Sequence, residues 1–422
     1  MNKHFFLSTS FFLLLQAVQS QQRLSLKNVL QIIDTGNPTA QMYAAQIRSA
    51  DEAAKGVRSW MPTEFGTGFW MTPYNPKLWQ RGNNGATGMG QYMLSAQQMF
   101  PNKKKQDAEA AYIEGISTVD KEKVKYELNR LYADAKKNYY EWMIIQKKLN
   151  VINENEKLVN FMIKDAEIRF RNGIDKLSAY YKAKAELGNI LNRRLQLENE
   201  VNQKRIRLNT LMNRDKMEQF EIDTSYKIKE IAATSFDTTT LSNRSDVRAI
   251  DREIQLTFLQ QNAERAKTKP EFGVRFDHMF GFGGFPMQYT LMGMAKIPIG
   301  KANRMSKANV ESLRWKAEAL SQQRQMILND ASGVATGISS ELETKKKQVK
   351  LFEENIIPAL RKNYQVMQLG YQQNTEQLFT LFDAWDTLNK TQFEFLDVLQ
   401  QLLNMQVELE RTLEIKYKEI EQ

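Results

Sequence analysis

Phe170-Arg171-Asn172-Gly173-Ile174-Asp175 and, 201 residues later, Tyr371-Gln372-Gln373-Asn374-Thr375-Glu376 are the segments on which the fold turns. Each closes a very long helical stretch. Residues 102–171 carry an uninterrupted helical pattern. Val124, Leu128, Leu131, Ala135, Trp142, Ile145, Leu149 and Ile152 follow three- and four-residue spacing, with a gap at Asn138. This is a coiled-coil-like seam. About 70 helical residues reach roughly 105 Å, far beyond a globular helix. Asn172-Gly173 supplies a left-handed cap, and a return helix is expected from Asp175, as N-cap, to Met212. At the same offset Leu177 meets Leu378, Ala183 meets Ala384 and Leu187 meets Leu388. Residues 302–372 and 375–420 then repeat the long helix and its return.

Upstream of each hairpin the composition changes. Residues 25–61 read as an alanine-rich helix that Pro62 ends. Phe65, Thr67, Phe69 and Met71 share one face of a strand at about 63–72. A loop with Pro73, Pro76 and Gly82-Asn83-Asn84-Gly85 leads to a second strand at 86–99. In the second half, a helix at 244–269 ends at Pro270. Phe272, Val274 and Phe276 alternate with Gly273, Arg275 and Asp277 in a strand at about 270–280, and a fourth strand lies at about 288–297. The chain reads as mainly α with a small β part. It holds two repeats of helix, strand pair and long helical hairpin, at 21–214 and 244–422, joined by a polar connector at 215–243. Four strands cannot close a membrane barrel, because the smallest have about eight. Three chains supply twelve, and closure removes the exposed edges.

Composition narrows the function. Residues 1–20 have the layout of a secretory signal: Lys3 and His4, the apolar run Phe5 to Leu15, then Ala17-Val18-Gln19-Ser20. After it no segment has the long apolar run of a membrane-spanning helix, and the mean hydropathy is −0.55. The absence of cysteine excludes disulfides, thiolate metal sites, cysteine nucleophiles and an acylated N-terminal cysteine. His278 is the only histidine beyond the signal, and no Ser-His-Asp set has support. Residues 293–301 lack the spacing of a phosphate loop, and Ala302 stands where serine or threonine would hold magnesium. Neither an enzyme nor a cofactor is expected. The net charge of +10 reads as a solvated surface, with cations scattered among acids, rather than as a nucleic-acid interface.

The whole pattern resembles the outer membrane efflux protein family, the TolC-like channel subunits. The resemblance is carried by the helices ended at Pro62 and Pro270, by Phe100-Pro101-Asn102-Lys103 and Ile297-Pro298-Ile299-Gly300, and above all by the two turns. Asn374 stands where glycine is usual, and Pro358 sits where members often break the long helix. The resemblance implies a homotrimer with a twelve-stranded outer-membrane β-barrel, four strands per chain, and an α-helical periplasmic tunnel. Such a channel passively conducts solutes, drugs or metal ions among them, from a periplasmic adaptor and inner-membrane pump to the exterior. By the same resemblance Asn172, Gly173, Ile174, Asn374 and Thr375 form the adaptor-docking tips. Asp165, Glu167, Asp175, Glu376 and Asp383 are candidates for an acidic tunnel gate, although Val366 and Gln368 replace the first two in the second half. A solvated face is the other reading of these acids.

Phe65, Phe69, Trp70, Trp79, Tyr92, Phe272, Phe276 and Phe285 suit the aromatic girdles of a barrel in outer-membrane lipid; packing inside a soluble sheet is the alternative. Met71, Met89, Met93, Met99, Met279, Met292 and Met294 gather around the strands. Their thioethers are soft ligands for copper or silver, although lipid-facing or core packing is the commoner use. Gly333 and Gly337, one turn apart, call for close helix packing or mark a hinge. Rival readings are a periplasmic adaptor, a structural coiled-coil protein and, within the family, a duct for type I protein secretion. An adaptor carries one hairpin flanked by soluble β-domains, and a structural coiled coil lacks the strand pairs.

Overall fold

A computed structural model describes residues 23–174, 176–226, 228 and 238–415. The expected signal at 1–20, Asp175, part of the 215–243 connector and the expected helix end at 416–420 lie outside the described residues.

Helix α3, Lys103–Arg171, runs 69 residues without interruption, roughly 100 Å. The Asn102 side chain caps it by accepting from the Lys104 N–H at 3.0 Å. Helix α4, Leu177–Leu211, returns alongside. Its N-cap is Lys176, which makes no side-chain cap, so the expected cap at Asp175 falls one residue early. In the second half α7, Arg304–Leu351, passes through a π turn at Phe352–Ile356 into α8, Ile357–Gln372, and α9, Leu378–Leu413, returns. Pro358 therefore does not break the helix. Its missing N–H and the clash of its ring are absorbed by one wide turn.

The core between the hairpins has a seven-residue step. Ile145, Ile152, Val159 and Ala166 of α3 pack with Ala183, Ile190 and Leu197 of α4 and with Leu378 and Trp385 of α9. Such a period winds helices gently about one another. Polar groups fix the register inside this core. Trp385 Nε1 donates to Asn155 Oδ1 at 2.9 Å, and Asn155 donates to Asn389 Oδ1 at 2.5 Å. Farther from the tips, Lys136 of α3 and Glu410 of α9 form a buried ion pair at 2.6 Å. Lys136→Ala takes the cation away from a buried carboxylate and should cost up to about 3–5 kcal/mol. The check is the denaturation midpoint, with K136M/E410L recovering most of the loss.

The remaining elements pack around this frame. Strand β1, Arg23–Leu24, pairs in parallel with β4, Glu221–Ile222. Tyr139 clips the pair: its hydroxyl accepts from the Asp223 N–H at 3.0 Å and lies 3.2 Å from the Leu24 carbonyl. Burial pushes this phenol up to about 12. The expected helix at 25–61 is instead two, α1 at Leu26–Gly36 and α2 at Pro38–Gly56. Pro38 cannot donate into a continuous ladder, and Asn37 caps the second helix by accepting from Thr39 N at 2.9 Å. The connector also holds α5, a single turn at Thr238–Leu241, and α6 follows at Ser245–Ala266.

Four strands form one antiparallel sheet in the order β2-β3-β5-β6: Glu64–Trp70, Gln91–Phe100, Glu271–Gly281 and Gln288–Lys296. Met71 lies just past β2 with a left-handed backbone, φ 47°, so it does not extend that strand face. The second strand starts at Gln91 rather than 86. Residues before it are tied into the loops, where Gly88 N–H donates to the Gly283 carbonyl at 2.9 Å. Within this chain no neighbour packs closely on Gly333 or Gly337: a side-chain carbon at either would meet nothing within 4 Å.

Candidate functional site: the two-faced sheet and the hairpin tips

Strand register sorts the sheet side chains onto two unlike faces. One face has the rows Phe65–Ala96–Phe276–Leu291, Thr67–Leu94–His278–Tyr289 and Phe69–Tyr92–Phe280, with Phe100–Phe272–Ala295 nearest the helices. It is apolar and uncovered: Phe65 is 81% exposed, Leu291 70% and Tyr289 73%. The other face has the rows Gly66–Ser95–Asp277–Thr290, Gly68–Met93–Met279–Gln288 and Glu64–Gln97–Arg275–Met292. There Arg275 pairs with the buried Asp277 at 2.8 Å, and Gln91 donates to Gln288 at 3.3 Å. A cleft of about 630 Å³ lies on this polar side.

This sorting divides the expected aromatic set. Phe65, Phe69, Tyr92, Phe272 and Phe276 occupy the apolar face. Trp70 projects to the polar face, one residue out of phase with Phe69, and Phe285 lines the cleft there. Trp79 belongs to the β2–β3 loop and stacks 5.8 Å from Phe69 and 5.4 Å from Phe282. The strand methionines, Met93, Met99, Met279, Met292 and Met294, all alternate onto the polar face. None of them is in the apolar row set, so lipid packing does not account for them.

At the other end of the molecule the two hairpin turns share one design. Gly173 N–H donates to the Phe170 carbonyl and Ile174 N–H to the Arg169 carbonyl, at 3.0 and 2.9 Å. Asn374 N–H donates to Tyr371 and Thr375 N–H to Gly370, at 3.2 and 2.9 Å. Both are Schellman caps, with Gly173 at φ 71° and Asn374 at φ 61°. A β-branched residue in that conformation is strained, so Gly173→Val or Asn374→Val should cost about 1–2 kcal/mol. Faster proteolytic nicking at the turn is the readout, with Asn374→Gly left unchanged.

One arginine ties the two turns together. Arg169 Nε donates to Asp165 at 2.9 Å, its Nη1 to Asn374 Oδ1 at 2.6 Å and its Nη2 to the Tyr371 carbonyl at 3.0 Å. The guanidinium lies 4.1 Å from the Tyr371 ring centroid, and the Tyr371 hydroxyl donates to Asp165. Asp165 is therefore held by partners within the chain, and Glu167 is paired with Arg171 at 2.6 Å. Glu376 folds against Gly370, whereas Asp383 is exposed on α9. Among the described residues no three His, Asp or Glu converge as a metal site, and no helix is long and apolar enough to cross a membrane.

No family model and no curated protein matches the chain. Solved structures do. The chain superposes on CusC, described for folding and transmembrane channel formation, with TM-score 0.75 at 14% identity, over 92% of this chain and 91% of that one. The Campylobacter jejuni outer-membrane channel CmeC gives 0.71 at 12%, covering 92% and 85%. The outer-membrane protein VceC of Vibrio cholerae gives 0.70 at 14%, covering 92% and 95%. The fold is that of the TolC-like outer-membrane channels. Within this TolC-like frame, Arg169 and Tyr371 are the tip residues that the sequence reading missed. A signal was present: at the 201-residue offset Arg169 and Phe170 stand opposite Gly370 and Tyr371, so the two turns differ where they meet.

Proposed function

We propose that this chain is one subunit of a homotrimeric outer-membrane channel. It conducts solutes passively from a periplasmic adaptor and inner-membrane pump to the exterior. The observation that carries the reading is the two-faced sheet. Strands β3, β5 and β6 have 10, 11 and 9 residues, the length of a membrane-crossing strand, about 9–11. Their apolar face suits lipid and their polar face suits water. The sheet has two open edges, β2 and β6, and backbone groups cannot stay unpaired in hydrocarbon. Pairing β6 of one chain with β2 of the next, three times, closes twelve strands. Met93, Met279 and their neighbours then line the conduit.

The same reading assigns the two halves, 21–214 and 244–422, one strand pair and one tunnel hairpin each, with the connector at the tunnel's equator. The tips carry Asn172, Gly173, Ile174, Asn374 and Thr375 to the adaptor. The Asp165–Arg169–Tyr371 clamp holds the tip closed by joining neighbouring hairpins. The chemistry is transport without covalent steps or cofactor. Fractionation tests the proposal: heat-modifiable migration in the outer-membrane fraction is the expected result, and a monomeric, detergent-free periplasmic pool overturns it.

A further inference from the structure

The cations of this protein are not evenly spread. Four stretches span the junctions of sheet and helices, 56–63, 101–106, 265–270 and 296–307, each a joining loop with the adjoining ends of its elements, bordered by Glu64, Asp107, Glu264 and Glu271. Together they hold eleven lysines and arginines and no aspartate or glutamate. Arg58 pairs with Glu114, Lys105 with Glu271 and Lys267 with Glu264. The others, among them Lys103, Lys104, Lys301 and Arg304, meet no carboxylate among the described residues and are exposed. At the opposite end of the sheet the loops at 71–90 and 282–287 carry only Lys77 and Arg81.

The position of this belt matters. Phe100, Phe272 and Ala295 form the apolar row nearest the helices. Lys103 and Lys104 follow Phe100 within a few residues, Lys269 precedes Phe272, and Lys296 follows Ala295. Trp60 stands edge-on to Phe100, with 5.4 Å between ring centroids, and is 65% exposed. An exposed tryptophan beside an apolar band, with cations just beyond it, is the pattern of a membrane–water boundary. The chain has no cysteine to carry an acyl anchor.

We propose that this belt binds anionic phospholipid headgroups of the leaflet facing the helices, fixing the depth of the barrel in the membrane. The proposal rests on the channel reading, because it needs the apolar face in lipid. Charge complementarity selects the partner: eight cations per chain meet no carboxylate among the described residues and lie around the junction of sheet and helices, and each cation near an anionic surface raises binding roughly fivefold at low salt.

The test uses purified full-length trimers reconstituted in phosphatidylcholine bilayers. Spin-labelled phosphatidylglycerol and phosphatidylcholine report which lipid associates with the protein. The wild type should favour phosphatidylglycerol by at least about fivefold at low salt and lose the preference near 1 M salt. K103Q/K104Q/K301Q/R304Q, altered at exposed positions and keeping Arg265, Lys269, Lys296 and Lys307, should show a clearly weaker preference at low salt. K121Q/K123Q, about five turns further along α3, should keep the preference. Equal association of both lipids with the wild type overturns the proposal, and is the result expected of a belt that serves an acidic protein instead. A preference undiminished in the fourfold variant overturns it as well. Failure to insert and migrate as a heat-modifiable trimer is a separate result, which sinks the channel reading itself.

Discussion

Phe276→Arg abolishes stable insertion while Thr290→Arg is tolerated. Phe276 lies in the central row of the apolar face, between Ala96 and Leu291, and is 46% exposed in the chain. In the proposed closed barrel it meets the bilayer midplane, where an arginine costs about 2–4 kcal/mol. The proposed homotrimer bears the same lesion three times. Thr290 lies on the opposite, polar face, in the row of Asp277, where a guanidinium stays in water. Membrane fractionation and heat-modifiable migration read the difference. Equal insertion of both variants means that the apolar face does not meet lipid.

Arg169→Ala should open the tunnel tip. The guanidinium makes bonds to Asp165, Asn374 and Tyr371, and its side chain is only 14% exposed. A hydrogen bond to a charged group contributes about 1.5–3 kcal/mol. Three bonds sharing one side chain are not additive, so about 3 kcal/mol per chain is a fair expectation. That shifts the closed-to-open ratio roughly a hundredfold. Planar-bilayer recordings should show a large rise in conductance, with Tyr371→Phe giving a smaller one through the lost bond to Asp165. Arg169→Lys keeps the charge but not the fork and should fall between them. A folded, inserted R169A trimer with wild-type conductance removes the clamp from the gate.

The long helices were legible because their apolar residues repeat over many turns, which no local accident imitates. The strands were legible from the alternation of Phe272, Val274 and Phe276. Other features have no periodic trace. β1 and β4 are two residues each and pair across nearly two hundred positions. The Asn37-Pro38 break was readable but hidden by helical composition on both sides. The methionine face could have been read by parity, since Met279 is out of phase with Phe272 and Phe276. At the tip, type alone marked Asp165 as a gate acid. Only its neighbours reveal it as half of a cross-link, because Arg169 and Tyr371 come from different hairpins.

The uninterrupted α3 and the π turn in its counterpart make the two hairpins mechanically unequal. The first is a strut: its 69 residues run without a proline or a π turn. The second has a soft joint at Phe352–Ile356, ahead of its turn at Asn374. The lever between them is about 18 residues, or roughly 27 Å, so a bend of about 10° at the joint swings the turn by roughly 5 Å. That exceeds the 2.6 Å reach of Arg169 to Asn374. In the proposed channel, whatever unlocks the tip need only pull on one hairpin of each pair, while the other stands still and keeps the tube's length.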